Sequence, residues 1–170
     1  NNAITDSGTL AITGVTTLNS GSADITLDQA SSTFGTLTLT GANVAVTENA
    51  AMDLGASTIS GTGSFSSTNN AITDSGTLAI TGVTTLNSGS ADITLDQASS
   101  TFGTLTLTGA NVAVTDAGAA DLGASTVSGT LGITSSGAIT DSGTLSITGD
   151  ATFTNTLSLI HISEPTRPNC

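Results

Sequence analysis

A seven-residue sequence that occurs seven times constrains the fold of this chain more than any other feature. It has the form G-[TA]-[LS]-x-[ILV]-[TS]-G, and its copies begin at Gly8, Gly35, Gly55, Gly76, Gly103, Gly123 and Gly143. Successive copies start 27, 20, 21, 27, 20 and 20 residues apart. Periods of this size are typical of stacked repeats, in which one unit cannot bury its apolar face alone.

Apolar and hydroxyl-bearing side chains alternate within most copies, as in Leu10 and Ile12 against Thr9 and Thr13. This alternation predicts a strand with one apolar face, and the flanking glycines predict sharp corners. Each copy should form one strand that stacks on the next copy. The pattern predicts an all-β, right-handed parallel β-helix (a β-solenoid) of about seven coils, each of roughly 20–27 residues.

Shorter strands are expected around these copies, at residues 3–5, 15–18, 24–27 and 43–47. The pieces between them are rich in turn-forming residues, such as NSGSAD and TENAAMD. The longer 27-residue steps should carry a loop that bulges from one side of the solenoid. No stretch has the period of an amphipathic helix.

A larger repeat lies above the small one, because residues 1–47 are identical to residues 69–115. We therefore divide the chain into residues 1–68 and 69–136, each with three expected coils, and a partial third copy at 137–156. Beyond residue 47 the copies differ, for example where Glu48 becomes Asp116. Because the sequence begins within a repeat, we expect it to be an internal fragment of a longer chain.

Residues 157–170 break the repeat pattern and resemble a translated sequencing adapter. We expect this tail to be non-native. It contains the only histidine, the only arginine and the only cysteine of the chain, His161, Arg167 and Cys170. On this interpretation these three residues carry no chemistry.

The charge of the repeats argues against several functions. The net charge is −12, and residues 1–156 contain twelve acidic residues and no Lys, Arg or His. Nothing there could neutralise the phosphates of a nucleic acid or of an anionic membrane surface. No catalytic pair with histidine can be built, and no apolar run is long enough to span a bilayer. We expect no enzymatic activity and no cofactor.

One column of residues is a candidate metal site. Alignment of the coils on their first glycine places these residues two positions earlier: Asp6, Thr33, Asp53, Asp74, Thr101, Asp121 and Asp141. Asp53 with Asp74, and Asp121 with Asp141, would lie on adjacent coils, where stacked carboxylates could recruit Ca²⁺. The simpler interpretation, which we favour, is that each aspartate caps a turn before glycine.

Threonine-rich runs such as Thr36, Thr38 and Thr40 suggest a second candidate surface. A flat ligand such as ice would need the same threonines on every coil. The corresponding outward residues in the next copy are Ala56, Thr58 and Ser60, so only part of the face repeats. A solvated β-face built from good strand formers is the simpler interpretation.

The phrases ITDSGTLAITG, DITLDQASSTFGTLTLTG and DLGASTVSGTLGIT, within residues 1–156, resemble the repeats of large bacterial surface proteins. The similarity is to filamentous-haemagglutinin-like adhesins and related autotransported proteins. It implies an extracellular location at the bacterial cell surface, associated with the outer membrane, and a right-handed β-helix shaft. No functional residue of that class maps onto this sequence, and its secretion domain is not among these residues.

The sequence therefore predicts a structural shaft segment of a secreted or cell-surface adhesin. Its partners would be the neighbouring coils of the same longer chain, with host or matrix ligands bound through other domains. The alternative is a binding module whose Thr/Asp face engages glycans, Ca²⁺ or ice. A spacer would let its outward residues drift between coils, whereas a binding face would keep them.

Overall fold

The computed structural model describes residues 1–156, so the predicted tail with His161, Arg167 and Cys170 lies outside the described residues. The described part contains 21 short β-strands and no helix. In chain order the strands are β1 Ile4–Thr5, β2 Thr16–Asn19, β3 Ile25–Leu27, β4 Thr36–Gly41, β5 Val44–Glu48, β6 Met52–Leu54, β7 Ser57–Ile59, β8 Gly63–Ser67, β9 Ile72–Asp74, β10 Leu78–Ile80, β11 Thr84–Asn87, β12 Ile93–Leu95, β13 Thr101–Phe102, β14 Thr104–Gly109, β15 Val112–Asp116, β16 Ala120–Leu122, β17 Ser125–Val127, β18 Leu131–Ser135, β19 Ile139–Asp141, β20 Leu145–Ile147 and β21 Ala151–Asn155.

These strands form two parallel sheets of 10 and 11 strands, and the chain passes from one sheet to the other and back in every turn. Strand β1 belongs to the first sheet, β2 to the second, β3 to the first and β4 to the second. The main path through the 10-stranded sheet, β1-β3-β5-β8-β11-β14-β16-β19, has one strand per turn. The predicted parallel β-solenoid is thus confirmed, with about eight turns where the sequence suggested about seven.

The turns are shorter than the spacing of the seven-residue copies suggests. A short turn runs from Leu37 to its register partner Leu54, and a long one runs from Ala79 to its partner Thr101. Residues 15–34 contain β2 and β3, which pair with neighbouring turns like any other strands. The bulging loop expected in the 27-residue steps is therefore not found, because those steps contain more than one full turn.

The 68-residue unit spans three and a half turns instead of the expected three. Strand β3 lies in the 10-stranded sheet, whereas its copy in the second unit, β12, lies in the 11-stranded sheet. The same exchange occurs between β4 and its copy β14. Identical sequences therefore lie in opposite sheets of the solenoid in the two copies.

The seven-residue copies stack in phase in only some places. Residues 55–61 and 76–82 are in phase, since Ser57 pairs with Leu78. The copy at residues 35–41 is out of phase with the next one, because Thr40 pairs with Thr58. The expectation that identical strands stack throughout is therefore wrong. Burial of apolar side chains from neighbouring turns sets the register, and the repeated phrase does not.

The interior is a narrow column of aliphatic and phenyl side chains. One run of paired residues on consecutive turns is Leu27, Val46, Phe65, Leu86 and Leu107, each at most 2% exposed. Burial of one such side chain is worth about 1.5–3 kcal/mol. The column explains how a chain with four phenylalanines and no Tyr or Trp has a continuous core.

Candidate functional site

The aspartate column predicted from the sequence divides between the two faces of the sheets. Asp53 pairs with Thr73, and Asp74 pairs with Leu54 instead of with Asp53. In the second copy Asp121 pairs with Thr140, and Leu122 pairs with Asp141. A register difference of one residue moves a side chain to the opposite face.

The stacked carboxylates are consequently not found. Asp53 and Asp121 point outward, whereas Asp74 lies on the inward face with Leu54, and Asp141 on the face of Leu122. Residues 1–156 hold no group of three or more Asp, Glu, His or Cys side chains arranged to bind a metal ion. The calcium hypothesis stays a prediction, without the paired geometry on which it was based.

Asp53 is held by hydroxyl groups of the two neighbouring turns. Its Oδ2 accepts a hydrogen bond from Thr36 Oγ1 at 2.7 Å and another from Ser75 Oγ at 2.8 Å. Because both donors are neutral, the ladder ties three turns together without a counter-ion.

The second copy repeats this ladder at Asp121. Its Oδ2 accepts from Ser142 Oγ at 2.7 Å and from Thr104 Oγ1 at 2.9 Å, and its Oδ1 accepts from Thr140 Oγ1 at 3.3 Å. The hydrogen bond from Ser142, followed by that from Thr104, holds the pKa of Asp121 below its usual range. These carboxylates therefore join turns of the solenoid.

Asp74 has the opposite environment. Its Oδ1 accepts from the backbone N of Asp96 at 2.9 Å, while Oδ2 is buried without a hydrogen-bond partner among residues 1–156. Burial raises the pKa of Asp74, and the nearby charge of Asp96 adds to this shift. The favoured interpretation was an aspartate that caps its own turn before glycine, whereas this hydrogen bond joins Asp74 to the next turn, 22 residues along the chain.

Two further carboxyls lie deeper in the interior, and one of them, Glu48, belongs to the stretch TENAAMD that was expected to form a turn. Glu48 and its counterpart Asp116 are the last residues of β5 and β15, at 0% and 1% exposure. Glu48 Oε2 accepts from the backbone N of Phe34 at 2.8 Å, and Asp116 Oδ1 accepts from the backbone N of Gly118 at 2.7 Å. The other oxygen of each carboxyl is buried without a partner in the described part of the chain.

The pKa values of both groups follow from this burial. Loss of water raises the pKa of Glu48 to about 7, against a smaller lowering by the hydrogen bond from Phe34. Burial also raises the pKa of Asp116. The sequence did contain a signal for the burial of Glu48. Val44 and Val46 are inward residues, and the same alternation makes Glu48 the next inward position.

A third set of polar residues forms hydrogen bonds between consecutive turns at one corner of the solenoid. The sequence did not predict this set. Asp24 Oδ1 accepts from both the backbone N and Nδ2 of Asn43, each at 3.0 Å. Asn43 Oδ1 in turn accepts from the backbone N and Oγ1 of Thr62, again at 3.0 Å. We call this set the corner ladder. It recurs in the second copy as Asp92, Asn111 and Thr130.

The threonine face is less regular than a flat ligand would require. Thr38 pairs with Thr17, but Thr40 pairs with Asn19 on one side and Thr58 on the other. Ala11, the central residue of the first seven-residue copy, forms a bridge with Thr33 and not with Thr38 of the next copy.

Two depressions open at the two ends of the described stack. The first, of about 400 Å³, is lined by residues including Ile4, Leu10 and Phe34 of the first turns. The second, of about 350 Å³, is lined by residues including Leu145 and Phe153 of the last turns. Apolar side chains of the column line part of both depressions, and polar residues such as Asp6 and Asp141 line the rest. Within residues 1–156 we find no helix with the length and apolarity needed to cross a membrane.

Comparison with known proteins gives one match. A family described as Repeats of unknown function (DUF5649) matches residues 1–40, 41–108 and 109–164. The middle match is one full repeat unit long, and the last extends beyond the residues that the structure describes. No curated protein and no solved structure matches the chain.

Proposed function

The chain belongs to the family of Repeats of unknown function (DUF5649), and we propose that it serves as a structural shaft segment of a secreted or cell-surface adhesin. The observation that carries this proposal is that each 68-residue unit adds three and a half turns to one continuous stack. At about 4.8 Å per turn, one unit lengthens the stack by about 17 Å. Duplication of such a unit adds length, which suits a spacer.

The outward polar groups support this proposal. Asp53, Asp121 and the corner ladders use their hydrogen-bonding capacity along the axis, between consecutive turns. Side chains bound in this way stiffen the stack and are less available to a ligand. The base-free composition and the resemblance to filamentous-haemagglutinin-like repeats support a location outside the cell.

Surface labelling tests the location. Antibodies raised against the 170-residue chain would be applied to intact and to permeabilised cells that produce it. We expect equal labelling of both. Labelling that requires permeabilisation would contradict an extracellular shaft.

Binding assays separate the shaft from the alternative binding module. The purified chain would be tested on a glycan array, by calorimetry with Ca²⁺ and by ice recrystallisation. A shaft segment should be inactive in all three. Saturable binding that is lost when outward threonines such as Thr38 and Thr106 are changed to valine would favour the binding module.

A further inference from the structure

The interior carboxyls of Glu48 and Asp116 form a feature that a spacer does not require. Each is the last inward side chain of its strand, and each is followed by a corner where the chain leaves the sheet. We call residues 48–51 and 116–119 the two carboxyl corners. Because they occupy equivalent positions in successive repeat units, they lie on opposite sheets of the solenoid.

Each carboxyl corner is tied to the preceding turn. The backbone N of Asn49 donates to Ser32 O at 2.8 Å, and the backbone N of Ala117 donates to Ser100 O at 2.7 Å.

Serines of the following turn tie the same corners from the other side. Ser67 Oγ donates to Ala50 O at 2.6 Å, and Ser135 Oγ donates to Gly118 O at 2.7 Å. The carboxyl thus lies inside a corner that is fixed from both sides.

Among residues 1–156, no opposite charge faces either carboxyl. Ser67 is the register partner of Glu48 and Ser135 that of Asp116, and both serines are neutral. The strands on the other side, β3 and β12, contribute isoleucine and leucine to the interior. The acids that follow those strands, Asp28 and Asp96, are exposed, and residues 1–156 contain no Lys, Arg or His.

A buried carboxylate in this setting is unfavourable, because one of its oxygens is buried with no hydrogen-bond donor among residues 1–156. The protonated carboxylic acid lowers that cost, because it buries no charge. We propose that Glu48 and Asp116 are proton-operated latches, which close their corners when protonated and release them when ionised.

The direction of the effect follows from linkage. Since the folded-state pKa of Glu48 lies at about 7, above its ordinary value of 4.5, the folded corner binds the proton more tightly than the open corner. The closed corner is favoured most below pH 4.5 and loses that advantage as the pH rises through about 7. The equilibrium constant for opening should rise by up to about 300-fold over this range. Asp116 should act in the same direction.

Amide hydrogen exchange on the full chain between pH 5 and pH 8, corrected for intrinsic rates, tests this inference. We expect protection of both carboxyl corners to fall as the pH rises. The Glu48→Gln variant should remove the pH dependence at residues 48–51 and keep it at residues 116–119. The Asp116→Asn variant should do the reverse, so each variant contains its own control. Asp150→Asn, at an exposed carboxylate outside both corners, should leave both corners unchanged.

The inference is overturned if protection at both corners is independent of pH, or if Glu48→Gln leaves the pH dependence of its own corner intact. If Glu48→Gln prevents folding, a carboxyl-carbon NMR titration of the unmodified chain decides the question. A midpoint for Glu48 near that of an exposed glutamate contradicts the latch, and a midpoint raised toward neutral pH supports it.

Discussion

At the scale of single residues, the polar side chains of this solenoid serve mainly to join one turn to the next. In the corner ladder, Asn43 links Asp24 of the preceding turn to Thr62 of the following turn. Its side-chain amide donates to the carboxylate of Asp24 on one side and accepts from the backbone N of Thr62 on the other. Such ladders stabilise a stack that has no salt bridge to use, since residues 1–156 contain no basic residue.

Replacement of Asn43 by alanine should lower the stability of the solenoid by about 1–2 kcal/mol, because three side-chain hydrogen bonds are lost at an exposed corner. Urea denaturation followed by circular dichroism would measure the change. The matched control is Asn49→Ala, at an exposed asparagine outside the ladder, which should change stability by less than about 0.5 kcal/mol. Equal effects of the two changes would show that the ladder is not stabilising.

A second residue-scale prediction compares two glycines with identical sequence surroundings. A Cβ at Gly76 would overlap the backbone of Ala56 on the preceding turn, whereas a Cβ at Gly8 has no atom within 4 Å. Gly76→Ala should therefore force adjacent turns apart and cost about 2–4 kcal/mol, while Gly8→Ala should be nearly neutral. Thermal unfolding of the two variants checks this, and similar melting temperatures would argue against the close approach of the turns at Gly76.

At the scale of strands, the six-residue strands β4 and β14 each bridge two shorter strands of the next turn. The start of β4 pairs with β6 and its end with β7, and β14 pairs in the same way with β16 and β17. Glycines at the corners, Gly55 and Gly123, lie between the two shorter strands in each case.

Truncation of the inward leucines of β4 and β14 should be costly. Leu39 and Leu107 are both 0% exposed, so Leu→Ala at either position should destabilise the chain by about 2–5 kcal/mol. Leu107→Ala should be the more costly of the two. Leu39 packs on Leu18 of the first described turn. Because Leu18 is only partly buried, it can shift into the space that Leu39→Ala leaves, which reduces the cost of that change. Chemical denaturation of both variants measures the difference, and the reverse order would contradict this account.

At the scale of the whole molecule, a repeat unit of three and a half turns places equivalent residues of successive units on opposite sheets of the solenoid. Each surface feature of residues 1–47 recurs on the opposite face in residues 69–115. Addition or removal of one unit therefore changes both the length of the stack and the orientation of everything that follows it, by half a turn.

Removal of residues 41–108 tests the half-turn directly. The junction preserves the repeat, because Thr40 would be followed by Gly109, the equivalent of Gly41. In the full chain Thr17 and Thr126 point outward from different sheets, and after the deletion both should lie on the same face. Spin labels on cysteines at these two positions, with Cys170→Ser, should move from roughly 30 Å apart to roughly 12 Å apart. A label pair that stays on opposite faces would exclude a half-integral number of turns.

The parallel β-solenoid, the alternation of inward and outward residues and the absence of Lys, Arg and His from residues 1–156 can all be read from the sequence alone. These properties follow from local geometry, since successive side chains in a strand point to opposite faces and a repeated strand must bury its apolar face against its copies. Even Glu48 has the inward orientation that the alternation through Val44 and Val46 predicts.

The register in which each turn stacks on the next is known only from the packed structure. The register between turns depends on how corners of different length let apolar side chains from separate turns meet, and no single repeat contains that information. A shift of one residue placed Asp74 inward beside Leu54 instead of outward beside Asp53. The same packing set three and a half turns per repeat unit and enclosed Glu48 and Asp116 in an interior to which residues 1–156 contribute no counter-charge, because burial of the aliphatic column outweighs the cost of two buried carboxyls.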